Sequence, residues 1–138
     1  MTNVQKACPI VTRATERGLD ILAFRHPWAG RQLVKGTIET AEQPQDAAKR
    51  ELFEESGLIC PTEMTSLGTL DVGPERMTWH FFAWHSTGLP DQWEHATTDD
   101  GGHTFAFFWH PIEISLDEEW HPIFREVFPS VVSRLTAR

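Results

Sequence analysis

The sequence predicts an α+β domain in which helices pack against a mixed β-sheet. Three observations support this fold class: β-rich runs come first, a helical segment and further β-rich runs follow, and a second helical segment ends the chain. Elements in that order form layers of helix and sheet around a common core. With 138 residues, 40% of them hydrophobic, the chain is long enough to form one domain over residues 1 to 138.

The first elements are predicted to be a hairpin and a short strand. Residues 7 to 15 and 19 to 25 are rich in β-forming residues, and Glu16-Arg17-Gly18 separates them as a turn. Residues 26 to 30 contain the proline and glycine of a second turn. Residues 32 to 36 then predict a short strand that leads into the helical segment.

A helix is predicted over residues 44 to 56. Pro44 suits a first helical turn, and residues 47 to 52 are mostly good helix formers. Gly57 suits the left-handed conformation that often ends a helix.

Three more strands are predicted after this helix, over residues 64 to 72, 77 to 87 and 103 to 110. The second of these runs is apolar on both faces, so we expect it to be central in the sheet. Three aromatic residues share one face of the third run: Phe105, Phe107 and Trp109.

Two segments remain. Residues 88 to 103 are polar and too long for a hairpin turn, which predicts a substrate loop. Residues 117 to 135 are predicted to be helical, with Pro122 near the start and Pro129 forcing a kink or a break.

The predicted first helix carries an acidic face. Glu51, Glu54 and Glu55 stand at positions i, i+3 and i+4, so their carboxylates project from neighbouring points and repel one another. An acidic helix face is usually a solvated surface. The other interpretation is a site for Mg²⁺ or Mn²⁺, hard ions that bind carboxylate and phosphate oxygens. The partner would then be a phosphate ester or anhydride.

The residues around these glutamates favour the metal site. Residues 36 to 58 resemble the signature of the Nudix hydrolases, Gly-x5-Glu-x7-Arg-Glu-(aliphatic)-x-Glu-Glu-x-Gly-(aliphatic). Every defined position is matched, by Gly36, Glu42, Arg50, Glu51, Leu52, Glu54, Glu55, Gly57 and Leu58. The resemblance implies an α/β/α sandwich and a metal-dependent pyrophosphohydrolase, in which water attacks a phosphorus of a diphosphate bridge in a nucleoside diphosphate derivative.

The resemblance also implies roles for individual residues. Glu54 and Glu55 would be the principal ligands of Mg²⁺ or Mn²⁺, and Glu51 a further ligand or the base that activates water. The carbonyl of Lys35 occupies a position that can ligate metal in this family. Arg50 would orient Glu51, although a surface pair with Glu54 is the alternative. The predicted catalytic residues are therefore Glu51, Glu55 and Arg50.

Two other motif positions have supporting roles by resemblance. Glu42, which precedes the helix, would contribute to the outer metal shell or to the geometry of the loop. Gly36 permits close approach of the backbone where the strand turns into that loop.

The predicted substrate contacts are Arg25, Trp28 and Glu94. Trp28 and Trp93 lie in predicted loops and are the tryptophans best placed to stack on a nucleobase. A further acidic ligand or base often comes from a later loop in this family. The candidates in this chain are Glu94, Asp99 and Asp100.

The substrate stays undecided at this level. Lys35-Gly36 resembles the subgroup that acts on dinucleoside polyphosphates and diphosphoinositol phosphates, whereas Pro74 lies at a spacing associated with ADP-ribose pyrophosphatases. ADP-ribose, a nucleoside triphosphate, a nucleotide sugar and a dinucleoside polyphosphate are all candidates. The alternative function is a non-catalytic Nudix module that binds a nucleotide as a regulator. The complete set of glutamates argues against it, because binding alone does not need every carboxylate.

Composition restricts the partners. A net charge of −8 argues against nucleic acid, whose binding depends on Lys and Arg. No apolar run has the length of a signal peptide or a membrane span, so we expect no membrane partner. Cys8 and Cys60 are far apart and outside any metal motif, which predicts a cytoplasmic protein. The sequence leaves a homodimer open.

Overall fold

The computed structural model of this chain describes residues 4–97 and 102–137. Within these residues it contains eight strands and two helices. The strands are β1 (Gln5–Thr15), β2 (Gly18–His26), β3 (Gly30–Gln32), β4 (Gly36–Thr37), β5 (Thr65–Val72), β6 (Met77–His85), β7 (Trp93–Ala96) and β8 (Thr104–Pro111). The helices are α1 (Pro44–Ser56) and α2 (Pro122–Thr136).

The strands form one mixed sheet in the order β5-β6-β1-β2-β8-β7. β1 and β6 are parallel, and the other paired strands are antiparallel. The short strands lie off this path, with β3 beside β2 and β4 beside β1. The β1–β2 hairpin and the interior position of β6 agree with the sequence-based expectations.

Each face of the sheet carries its own core. On one face, Leu22 and Phe24 of β2 belong to a buried cluster that includes Leu52 of α1. On the other face, Ile21 and Ala23 belong to a cluster with α2, through Phe124, Val127, Phe128 and Val131. This alternation follows from the two-residue period of a strand. The sheet therefore lies between two helices, which confirms the predicted α/β/α sandwich.

The boundaries of α1 agree with the sequence signals at both ends. Pro44 occupies the first turn, where its missing N–H removes no helical hydrogen bond. At the other end Gly57 adopts φ 81°, and its N–H donates to the carbonyl of Phe53 at 2.9 Å. Local chemistry is sufficient to define this helix.

The segment around residues 30 to 37 differs from the single strand expected over residues 32 to 36. The chain pairs with β2 through β3, leaves the sheet at Leu33 to Lys35, and pairs with β1 through β4. Leu33 and Val34 are buried during this crossing. Their apolar side chains produced a strand-like pattern, although the backbone changes its pairing partner there.

The expected loop over residues 88 to 103 contains a strand. β7 pairs with β8 in the antiparallel sense, and Trp93 stacks on Phe107 with ring centroids 5.1 Å apart. The indole N–H of Trp93 donates to the carbonyl of Ser56 at 3.0 Å. These contacts order a polar stretch whose sequence alone resembles a loop.

The second helix starts later than expected. Residues before Pro122 form a turn in which Asp117 accepts a hydrogen bond from the backbone N–H of Glu119 at 3.0 Å. His121 then caps α2, because its side chain accepts a hydrogen bond from the N–H of Ile123. The helix continues through Pro129, so of the expected kink or break the break does not occur.

Neither helix in the described ranges is long and apolar enough to cross a membrane. Cys8 and Cys60 are both buried free thiols.

We expect the Gly57→Ala variant to be less stable than the Gly73→Ala variant. Both glycines adopt positive φ, at 81° and 76°, so alanine costs each about 1 kcal/mol of backbone strain. At Gly57 an added Cβ would also lie 3.0 Å from Nδ1 of His95, whereas nothing lies within 4 Å at Gly73. Urea denaturation of the two variants measures the difference. Equal losses would show that the packing of β7 against the end of α1 contributes nothing.

Candidate active site

The chain between β3 and the end of β4, residues 33 to 37, is called the crossing segment. A cavity of about 530 Å³ lies where this segment, the C-terminal half of α1 and the start of α2 meet. Glu51 and Glu55 supply acidic groups to its lining, and Lys6 and Lys35 supply basic groups. The remaining lining residues are His26, Ala29, Gln32, Gly36, Thr37, Phe105 and His121. Two carboxylates and two ammonium groups therefore line one cavity.

A larger concavity of about 680 Å³ lies at the turn of the β1–β2 hairpin. Its lining includes Arg17, Leu19 and Ile114 but no residue of the glutamate-rich segment. It opens at the start of β2, whereas His26 of the smaller cavity is at the end of that strand. The charge arrangement identifies the smaller cavity as the candidate active site.

Helix α1 presents the glutamates because of its period. Glu51 and Glu55 are one turn apart and each is only 8% exposed, while the side chain of Glu54 is 33% exposed. The carboxylate of Glu51 lies so close to Gly36 that a Cβ at that position would overlap it. Glycine at position 36 therefore lets α1 and the crossing segment approach each other.

Arg50 connects the acidic residues of this region. It donates to both carboxylate oxygens of Glu42, at 2.8 and 3.0 Å, and to Glu51 at 2.9 Å. It also lies 3.3 Å from Glu54 and donates to the carbonyl of Thr37 at 3.0 Å. Both sequence interpretations of Arg50 are thus present in the structure, as an orienting contact to Glu51 and as a pair with Glu54.

The contact between Arg50 and Glu42 alters both pKa values. The side-chain hydrogen bond from Arg50 holds the pKa of Glu42 below its ordinary value, and the same bond raises the pKa of Arg50. Glu42 also accepts a hydrogen bond from the backbone N–H of Glu39 at 3.0 Å. In the structure Glu42 fixes the loop before α1, which is one of the two roles considered for it.

The basic groups come from the α2 side of the sheet. Lys6 donates to the hydroxyl of Thr37 at 2.7 Å, and the ammonium of Lys35 lies 6.0 Å from the ring centre of Trp79, a core residue of the α2 face. Burial lowers the pKa of Lys6, and the charge of Lys35 lowers it further. Burial followed by the charges of Lys35 and Arg125 also lowers the pKa of His121. The charge of Glu51 acts in the opposite direction and raises the pKa of Lys6.

Trp28 is not among the lining residues, but it stands between His26 and Ala29, which are separated from each other by one turn of chain and both line the cavity, and it is 79% exposed. Its ring forms edge-on contacts with His103 at 4.6 Å and with His26 at 6.1 Å between centroids. Nδ1 of His26 accepts hydrogen bonds from the backbone N–H groups of Trp28 and Ala29, both at 3.1 Å. His26 therefore holds the turn that carries the exposed indole.

Arg25 is not among the residues that line the cavity. It follows Phe24 in β2 and lies over Phe108, with 4.6 Å between its guanidinium carbon and the ring centre. That face of the strand is opposite to the one from which His26 reaches the cavity.

Glu94 is also outside the cavity lining. Its neighbours Trp93 and His95 both face the end of α1, through the Ser56 carbonyl and Gly57. Because side chains alternate along a strand, Glu94 points to the opposite face of the sheet. The other two acidic candidates, Asp99 and Asp100, lie outside the described residues.

The donor chemistry of the site fits a hard divalent cation. Buried carboxylates within one helical turn are costly unless cations offset their charge, and carboxylate oxygens are the ligands that Mg²⁺ and Mn²⁺ prefer. Among the described residues, no three His, Cys, Asp or Glu side chains are already grouped as a metal site. The candidates by position are Glu51, Glu54, Glu55 and the carbonyl of Lys35.

No sequence pattern marks four residues that line the cavity, Lys6, His26, Phe105 and His121. These residues come from β1, β2, β8 and the cap of α2, so only the tertiary fold brings them together. The helix cap at His121 was detectable in principle, because it directly precedes Pro122.

Comparisons with known proteins identify relatives of this chain. A family model described as the NUDIX domain matches residues 3–131. No curated protein matches the chain significantly.

Several solved structures share the fold. The NUDIX domain of Shewanella oneidensis NrtR, complexed with ADP ribose, has a TM-score of 0.70 and 14% identity, over 99% of this chain and 90% of that one. An ADP-ribose pyrophosphatase from Streptococcus suis has a TM-score of 0.69 and 17% identity, over 99% and 95%. An Ap4A hydrolase from C. elegans has a TM-score of 0.66 and 15% identity, over 96% and 99%. At these identities the likeness shows the fold alone.

We expect the Glu42→Gln variant to lose about 1 kcal/mol of stability at pH 7, because it removes a charge-assisted contact to Arg50 that is partly open to solvent. The pKa of Glu42 is lower in the folded chain, so its carboxylate stabilises the fold above the ordinary value of 4.5. This contribution is lost as the pH falls below that value.

Chemical denaturation across a pH series measures this difference, with Glu75→Gln in an exposed turn as the control. A difference between wild type and Glu42→Gln that persists unchanged down to pH 3 would contradict the assignment.

Proposed function

Since the chain belongs to the Nudix family, we propose that it is a metal-dependent pyrophosphohydrolase that cleaves a diphosphate linkage in a nucleoside diphosphate derivative. The family match supports a hydrolase that acts on phosphorus anhydrides. The observation that carries the proposal is the pair of buried carboxylates, Glu51 and Glu55, in a cavity whose lining also includes Lys6 and Lys35. Such a cavity suits an anionic substrate bound together with a cation.

The metal in this proposal is Mg²⁺ or Mn²⁺. Glu51, Glu54, Glu55 and the carbonyl of Lys35 would hold it, as their oxygen donors favour a hard ion. When bound, the ion supplies Lewis-acid stabilisation of the charge on the phosphate oxygens.

The side chains of the chain have separate tasks. Arg50 holds Glu51 in place through the hydrogen bond at 2.9 Å. Gly36 leaves room for that carboxylate beside the backbone. One of the two buried carboxylates, Glu51 or Glu55, accepts the proton of the attacking water. Glu42 keeps Arg50 oriented by accepting two of its hydrogen bonds.

The substrate classes are those expected from the sequence: ADP-ribose, a nucleoside triphosphate, a nucleotide sugar or a dinucleoside polyphosphate. Relatives of the same fold include a NUDIX domain complexed with ADP ribose and an Ap4A hydrolase. Trp28, exposed beside the cavity, is assigned to stacking on the nucleobase. Arg25, Trp28 and Glu94 all stay predictions, because none of the three is among the residues that line the cavity.

The proposal extends to the partner, the cellular compartment and the oligomeric state. A small-molecule partner, rather than nucleic acid, agrees with the net charge of −8. A reducing cytoplasm agrees with the two free thiols. A homodimer stays open.

A non-catalytic module that binds a nucleotide is the competing function. It predicts saturable binding of a substrate without release of product in Mg²⁺ or Mn²⁺. The hydrolase predicts turnover that chelation with EDTA abolishes, so a substrate panel with both metals separates the two functions.

We expect Glu55→Gln to lower kcat by about a hundredfold or more on whichever substrate turns over, because it removes a buried carboxylate needed for metal binding or proton transfer. The matched control is Glu63→Gln at an exposed position, which leaves kcat unchanged. Steady-state kinetics of both variants, with folding checked by circular dichroism, provide the measurement. Turnover that is unaffected by Glu55→Gln, or unaffected by EDTA, would overturn the proposal of a metal-dependent hydrolase.

We expect Trp28→Ala to raise KM for a nucleotide substrate about tenfold with little change in kcat, since base stacking on an aromatic ring contributes about 1–3 kcal/mol. Trp28→Phe keeps a ring and is expected to retain most of the affinity. A KM that is the same in both variants and wild type would remove Trp28 from the site.

A further inference from the structure

The cavity continues past its basic wall into a smaller recess. The recess has a volume of about 210 Å³ and shares Lys6, Gln32, Lys35 and His121 with the main cavity. Its own lining consists of three apolar residues, Met77, Ile123 and Phe124. The basic groups therefore stand at the junction of two connected spaces.

The junction and the glutamates come from opposite layers of the sandwich. Glu51 and Glu55 project from α1, whereas Lys35 lies near Trp79 of the α2-side core and the recess reaches Phe124 of α2. A ligand that starts at the glutamates and extends along the cavity reaches the lysines next. The order along this path is carboxylates, ammonium groups and recess.

The two ammonium groups remain available for an anion. Lys6 donates to the Thr37 hydroxyl, but within the described ranges neither it nor Lys35 is in an ion pair. Glu51 is in an ion pair with Arg50 at 2.9 Å. The dipole of α2 adds positive potential at His121, although the N–H groups of Ile123 and Phe124 already bond to that residue.

We propose that Lys6 and Lys35 bind a phosphoryl group beyond the diphosphate that is cleaved, so that the preferred substrates carry a linear chain of at least three phosphates. The inference rests on the proposed function, because it takes the glutamates as the place where the cleaved diphosphate binds. The glutamates line only the main cavity, whereas the lysines line the recess as well, so a phosphate beyond the diphosphate can lie at the junction. A third phosphate fills the junction, where two ammonium groups offset its charge.

The test compares the affinities of inorganic tripolyphosphate and pyrophosphate by isothermal titration calorimetry of the full chain in Mg²⁺. The variants are Lys6→Met and Lys35→Met, which keep the length of the side chain and the carbonyl of residue 35. The matched control is Lys49→Met, the third lysine of the chain, which is outside both spaces.

The expected result is a loss of about tenfold or more in affinity for tripolyphosphate in each of the two variants, since a hydrogen bond to a charged group contributes about 1.5–3 kcal/mol. The affinity for pyrophosphate is expected to stay within about twofold of wild type. Kinetics provide a second arm: the ratio of kcat/KM for ATP to that for ADP-ribose falls by the same factor in both variants.

Two outcomes would overturn the inference. If both anions lose affinity equally, the lysines serve the cleaved diphosphate itself. If Lys6→Met and Lys35→Met lose no more affinity for either anion than Lys49→Met does, the two lysines bind no phosphate. Calorimetry tests the inference even if no substrate turns over. If hydrolysis depends on Glu55 but the lysine variants bind tripolyphosphate as wild type does, this inference is wrong and the proposed function stands.

Discussion

The arrangement of the site depends on the guanidinium of Arg50. This single group bonds to Glu42 in the loop before α1, to Glu51 on the helix, and to the carbonyl of Thr37 in β4. A guanidinium can do this because its donors form a rigid planar fork. Without it, three carboxylates within two helical turns would repel one another and the loop would lose its attachment to the helix. The same guanidinium contacts Glu51, which lies against Gly36, and the backbone of Thr37, the next residue.

The sandwich determines why acidic and basic groups meet in one place. Helix α1 covers one face of the sheet and α2 covers the other, so each brings its own end to the edge where β4 leaves β1. The crossing segment contacts both layers of the sandwich there, α1 on one side and the α2-side core on the other. It carries Lys35 and Gly36 side by side, with the first toward the α2 core and the second against Glu51. One short stretch of backbone thus carries a lysine of the basic wall and the glycine that makes room for Glu51.

The sequence predicted what local chemistry controls and missed what long-range pairing controls. The bounds of α1 follow from Pro44 and Gly57, whose effects act within one turn, and the motif identifies Glu51 and Glu55 by their spacing. β7 was read as a loop, because its order comes from the stacking of Trp93 on Phe107 in another strand. The basic wall was missed for the same reason, since the contribution of Lys6 depends on its pairing with the crossing segment.

The separate origin of the two walls has an evolutionary consequence. The acidic wall is part of a helix in which Arg50 contacts both Glu51 and Glu54, so substitution of Arg50 or Glu51 disturbs several contacts at once. The lysines each make few contacts, and the side chain of Lys35 projects from backbone that is already outside the sheet. Under the proposed role of the lysines, mutations of them would alter which molecule is accepted and leave the glutamates in place. A lineage with this architecture would then diversify its substrates through the crossing segment and the first strand.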